Sequence, residues 1–170
     1  MKNIVLIGFM GTGKSTVGRR VARRLGRPFI DVDGRIIERE GRSISGIFRE
    51  RGEAYFRDVE SAVIAEATRE DDAVIATGGG ATLRAENVER LKARGLLVCL
   101  HADAAVIAKR VGRRADRPLL TGEGDLRSCI EQLLVQRAPA YACADVTIET
   151  AGRSMDAIVN DVLRCAKRLA

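Results

Sequence analysis

A glycine-rich turn that ends in Lys-Ser directly after a short apolar run leaves a chain few folds to adopt. Here the run is "NIVLI" and the turn is "GFMGTGKSTVG", residues 8–18. Gly8, Gly13, Lys14 and Ser15 match the pattern G-x-x-x-x-G-K-[ST]. Glycines let the backbone turn tightly and aim successive N–H groups inward, which makes a concave nest for an anion. A helix starting near Lys14 adds its positive end at the same point. Gly11, Thr12, Gly13, Lys14, Ser15 and Thr16 are the expected contacts to a nucleoside triphosphate, with Lys14 on the β- and γ-phosphates and Ser15 on Mg2+.

Around this turn, short β-branched runs alternate with longer helical patterns. Strands are expected at 3–7, 28–32, 73–77, 96–101 and 145–149. Helices are expected at 14–25, 34–40, 44–69 (broken near Gly52), 84–94, 103–111, 125–137 and 155–168. Such alternation builds parallel βαβ units: an α/β fold of three layers, with a five-stranded parallel sheet between helices. The 170 residues read as one domain, without internal repeat or low-complexity tail. One stretch, "GRRADRPLLTGEGD" at 112–125, fits neither period; it reads as either disordered surface or a mobile lid, and its arginines favour the lid.

Composition narrows the partners. No run approaches the roughly 20 apolar residues needed to span a bilayer. The run after Lys2 is too short for a signal peptide, so a cytoplasmic protein without a membrane partner is expected. Cys99, Cys129, Cys143 and Cys165 are widely spaced and form no C-x-x-C pair, and His101 is the one histidine. That excludes zinc-site spacing and predicts reduced, mostly buried thiols, with His101 structural at a strand end. A net charge of +6 raises nucleic acid as a partner. However, the 24 Arg and 5 Lys are scattered, and two Tyr, four Phe and no Trp offer no stacking platform. No nucleic-acid partner is expected; guanidinium groups suit anionic substrates at least as well.

In open α/β sheets, ligands bind beyond the carboxyl ends of the strands. The first strand ends in the phosphate turn, the second in "DVD" (Asp31 and Asp33) and the third in "TGGG" (Thr77 to Gly80). Asp31 and Asp33, two apart, can project the same way. One could serve Mg2+ and the other an acceptor hydroxyl, while Asp33 could equally cap the helix that follows. The third strand carries no Walker-B carboxylate, which makes Asp31 the nearest candidate for the metal side. Gly78, Gly79 and Gly80 open the backbone to a ligand. Arg57 in "FRDVE" and Arg137 in "QRAPAY" sit among apolar neighbours, where each needs an anion: a carboxylate of the protein or one of a ligand.

"GFMGTGKSTVG", "DVD", the Arg of "FRDVE", "TGGG", "RPLL" and "QRAPAY" occur in the order and spacing of shikimate kinases. Over about residues 3–165 the chain resembles that family. The resemblance implies a P-loop fold like that of nucleoside monophosphate kinases, with a substrate-binding region at about 33–60 and a lid at about 112–125. It implies Mg2+-dependent transfer of the γ-phosphate of ATP to the 3-hydroxyl of shikimate, giving shikimate 3-phosphate and ADP on the route to chorismate and aromatic amino acids. It further implies Ser15 and Asp31 on the Mg2+ side and Asp33 at the acceptor hydroxyl. Arg57, Arg137, Gly78, Gly79 and Gly80 would surround shikimate, with the two arginines on its carboxylate. Arg117 would be the lid arginine that reaches the phosphates, and Arg110 and Arg153 would lie on the adenine side. Lys14, Asp33 and Arg117 are then the catalytic set, Asp103 is left as a helix cap, and the enzyme is taken to act as a monomer.

Three rivals differ in what they phosphorylate or bind. A nucleoside monophosphate kinase would carry a "DG-[FY]-P-R" segment, which is absent, and a gluconate-type kinase would not be expected to carry the triple glycine and "RPLL". A protein using ATP only as a switch would release ADP in response to RNA or DNA rather than shikimate.

Overall fold

In the computed structural model, which describes residues 2–112 and 125–168, β1 (Asn3–Ile7) is buried at all five positions. That is the pattern of a central parallel strand covered on both faces. It pairs in parallel with β3 (Val74–Ala76) on one side and β4 (Gly95–His101) on the other. β2 (Phe29–Asp31) adds beside β3, and β5 (Val146–Glu149) beside β4, giving the order β2-β3-β1-β4-β5. The expected five-stranded parallel sheet is therefore present, with strand ends within two residues of those read from the sequence.

Alternation along β1 splits the interior in two. Val5 and Ile7 enter one apolar cluster with Ile36, Ile47, Phe56 and Ile64, from α2 (Val32–Glu40) and α3 (Ile44–Ala67). Ile4 and Leu6 enter the other with Val17 and Val21 of α1 (Lys14–Leu25) and Val159 and Val162 of α7 (Met155–Arg168). Between them the two faces supply the helix–sheet–helix layers. After β1 the chain passes over to β2, whereas after β3 it crosses to β4. The paths diverge at the carboxyl ends of β1 and β3, where such sheets open a crevice.

Two boundaries, those of α2 and α6, differ from expectation for identifiable reasons, whereas the break in α3 falls where it was expected. α2 begins at Val32 rather than 34, because Asp31 is extended and its side chain accepts from the Gly34 N–H, making Asp31 the cap and placing Asp33 inside the first turn. α3 is interrupted at Gly52, as foreseen; its φ of 81° and ψ of 171° lie where a side chain would be strained. α6 (Leu126–Tyr141) runs past residue 137 despite Pro139, so that Arg137 and Tyr141, one turn apart, share a face. α4 (Ala85–Arg94) and α5 (Ala104–Val111) fall close to prediction, and Asp103 caps α5 by accepting from the Val106 N–H at 2.8 Å.

All four cysteines are free, but only Cys99 is buried; the other three are half-buried, less than the sequence suggested. His101 pairs with Glu149 across the β4–β5 register, Nδ1 to Oε2 2.7 Å. Part of the arginine content serves surface ion pairs such as Arg39–Glu66, Arg42–Glu50 and Arg84–Asp58. Among the described residues, no helix is long and apolar enough to cross a membrane. Of the lid expected at about 112–125, residues 113–124, Arg117 among them, lie outside the described residues.

Candidate active site

The phosphate turn joins β1 to α1. Gly13, at φ 94°, caps α1 without any side-chain hydrogen bond, and the first turn holds no acid. The helix therefore presents its N–H groups and positive end with no built-in counter-charge, as an anion requires. Lys14 is buried, and its Nζ donates to the carbonyls of Gly8 and Phe9 at 2.8 and 2.9 Å. Thr12 Oγ1 donates to the Phe9 carbonyl at 2.8 Å, bracing the same turn.

From here a cavity of about 780 Å3 runs over the carboxyl ends of the strands. That volume suits a ligand of nucleotide size. Residues 11–16, Arg110 and Arg153 line one part, and Asp33, Thr77 and Gly79 line another. The phosphate turn and the candidate acceptor residue thus share one space.

At the acceptor end, four segments converge on the glycine triplet. A Cβ at Gly78 would lie 2.6 Å from Glu60 Oε1 and 2.9 Å from Asp33 Oδ1, so carboxylates from α2 and α3 both abut that residue. A Cβ at Gly80 would lie 2.4 to 2.6 Å from the guanidinium of Arg57, which only a residue without a side chain allows at this approach. Arg57 donates to Glu60 at 2.7 Å and to Glu53 at 3.1 Å. Burial lowers the Arg57 pKa, but the charges and hydrogen bonds of Glu60 and Glu53 outweigh it and leave it raised. Glu60 has no exposed surface; burial lifts its pKa, and Asp33 adds to the rise, against the opposing pull of Arg57.

Arg137 behaves differently from Arg57. Only 6% exposed, it donates to the Gly79 carbonyl at 3.3 Å and lies 5.4 Å from the centre of the Phe9 ring. Among the described residues it makes no ion pair with a carboxylate. Among the described residues, this buried cation, held by a carbonyl and a ring face, has no anion of the kind its charge calls for. Neither arginine lines the cavity itself; both stand behind its glycine wall.

On the far side, Arg110 joins the phosphate turn to the segment after β5. It donates to the Gly11 carbonyl at 3.2 Å and to Thr150 Oγ1 at 3.2 Å. Arg153 pairs with Asp161 at 2.5 Å and also lines the cavity. Lys109 and Thr150 line it too, though sequence reasoning passed over both. The rule about strand ends, applied to β5, would have pointed to Thr150; Lys109 was readable as the neighbour of Arg110 in the last turn of α5.

Ser15 lines the cavity beside Lys14, whereas Asp31 does not; the oxygen it turns to Gly34 N, 3.4 Å away, gives it a capping role. Among the described residues no cluster of three or more His, Cys, Asp or Glu could hold a metal. This donor set fits Mg2+ rather than a caged ion, because Mg2+ keeps several waters and binds through few protein oxygens plus substrate phosphates.

Comparison with known proteins points one way. The family model described as "Shikimate kinase" matches residues 10–167. A shikimate kinase of Thermodesulfovibrio yellowstonii is 45% identical over 170 residues, covering 100% of this chain and 98% of its own. The structure of shikimate kinase from Acinetobacter baumannii in complex with shikimate superposes with a TM-score of 0.94 at 39% identity, covering 99% of this chain and 94% of that one. A gluconokinase from Sinorhizobium meliloti is like it in fold alone, with a TM-score of 0.63 at 24% identity over 99% of this chain and 93% of its own.

Proposed function

The chain belongs to the shikimate kinase family, and from that membership we propose how its own residues move the γ-phosphoryl group of ATP to the 3-hydroxyl of shikimate. Gly11 to Thr16 cradle the nucleotide phosphates, with Lys14 turning from the loop carbonyls to the β- and γ-phosphates. Arg110 and Arg153 border the adenine side. Asp33 orients the acceptor hydroxyl, whose oxygen bonds to the γ-phosphorus as the bond to the β–γ bridging oxygen breaks and its electrons leave with ADP. The hydroxyl proton passes toward Asp33; a loose transition state needs little of that transfer beforehand. Arg57, Arg137 and the backbone of Gly78 to Gly80 hold shikimate by its carboxylate end. Mg2+, held through Ser15 and indirectly Asp31, would neutralise phosphate charge when bound. Arg117 is assigned to the phosphates by family resemblance alone.

The observation that carries this reading is Arg137, a buried guanidinium with no carboxylate partner among the described residues, set against Gly79 in the wall of the cavity that Asp33 also lines. A small carboxylic acid supplies the missing anion and puts its hydroxyls within the same space. The reading takes the substrate to be this small molecule alone, bound by a monomeric, cytoplasmic enzyme whose region 33–60 receives it. The test is Asp33→Asn: kcat should fall about 100-fold or more with ATP affinity unchanged. A normal kcat would return Asp33 to a structural place in the first turn of α2.

A further inference from the structure

Tyr141 lies one turn beyond Arg137 on α6, where residues four apart share a face. Its hydroxyl donates to the Gly79 carbonyl at 2.6 Å, the same oxygen that Arg137 reaches at 3.3 Å. Both side chains thus reach the one carbonyl, and the phenol makes the shorter of the two bonds to it. We infer that Tyr141 is a positioning residue for shikimate: it holds the Gly79 carbonyl so that Arg137 can leave that oxygen for the carboxylate of the substrate.

The argument rests on the role proposed above for Arg137, and on the cost of orphaning a polar group. An acceptor that loses its donor away from bulk water costs more than an ordinary hydrogen bond returns. While the phenol stays on Gly79, turning the guanidinium fork to a carboxylate leaves the carbonyl satisfied. Without the hydroxyl, Arg137 is the remaining donor shown on that oxygen, and substrate binding must take it away. The loss would fall on shikimate, because the nucleotide contacts lie on other segments of the cavity. The phenol is also a dependable donor: burial pushes its pKa up to about 12, so it keeps its proton through the working range.

Tyr141→Phe removes the hydroxyl and keeps the ring. Binding of shikimate and of ATP is measured by calorimetry in the native protein, Tyr141→Phe, Arg137→Ala and the double variant, with steady-state kinetics alongside. The expected result is shikimate Kd and KM raised about 3- to 10-fold in Tyr141→Phe, the size of one hydrogen bond. ATP affinity and kcat should stay near native, and the effect should largely vanish when Arg137 is already Ala. Equal weakening of shikimate and ATP would show a merely structural residue. A full effect of Tyr141→Phe in the Arg137→Ala background would show that it does not act through Arg137. If Arg137→Ala alone binds shikimate normally, the assignment of Arg137 fails and this inference fails with it.

Discussion

Arg57 and Glu60, one turn apart on α3, meet in an ion pair of 2.7 Å whose acid has no exposed surface and whose base leans on Gly80. Glu60 thereby fixes a guanidinium that stands directly behind the acceptor end of the cavity. Removing one partner of a buried pair leaves the other charge uncompensated, at about 3–5 kcal/mol. Glu53, also bonded to Arg57, softens this, so Glu60→Ala is expected at or below the lower end. Its shikimate KM should rise more than its ATP KM. Thermal or urea unfolding reads the first effect and steady-state kinetics the second; unchanged shikimate KM would confine Glu60 to stability.

Arg57→Ala and Arg137→Ala should each weaken shikimate more than ATP. A charged hydrogen bond to a carboxylate contributes about 1.5–3 kcal/mol, or roughly 10- to 150-fold in affinity. The two should differ in stability. Arg57→Ala leaves Glu60 buried without its cation, whereas Arg137→Ala strands no carboxylate among the described residues. Calorimetry for binding and denaturation for stability separate these outcomes.

Much of this site was legible early. The phosphate turn announces itself because its glycines, Lys14 and Ser15 are consecutive in the chain and need only a strand before them. The pairing of Asp31 with Asp33 was visible, but not which of them caps α2: that depends on where β2 ends, and tertiary pairing with β3 ends it at Asp31. Glu60 was not singled out, because its place in "FRDVES" does not tell which face of α3 it lies on. In the fold this acid is fully buried and holds Arg57. Tyr141 was missed because the helix was expected to end at 137, one turn short of it.

Gly80→Ala tests how closely the backbone and Arg57 must approach. Gly80 has φ −112° and ψ 7°, which alanine can adopt, so the backbone itself is not strained. The added Cβ would instead displace the guanidinium, whose tip can move only by disturbing its pair with Glu60. Overpacking of this kind costs about 1–3 kcal/mol. The variant is expected to fold and bind ATP normally while losing shikimate affinity. Native shikimate binding would show that Arg57 has room to spare.

Tyr141 makes a prediction in alkali. Burial is the main cause of its rise from the ordinary 10.0 to about 12. A group whose pKa is raised by folding contributes stability that is fully present below its unfolded value and lost as pH passes through its folded value. Between pH 10 and about 12 the native protein should therefore lose about 2–3 kcal/mol relative to Tyr141→Phe. Phenolate absorbance, taken as the difference between the two proteins, should show Tyr141 ionising late in this window. Ionisation near pH 10 would mean that the phenol is not sealed against Gly79.

The most direct measurement is ADP release by the purified chain with ATP and Mg2+, run in parallel with shikimate, gluconate, AMP or no acceptor. Release that depends on shikimate, with gluconate and AMP near the rate without acceptor, is the predicted result. Equal release without shikimate, or a rate driven by AMP or gluconate in its place, would contradict it.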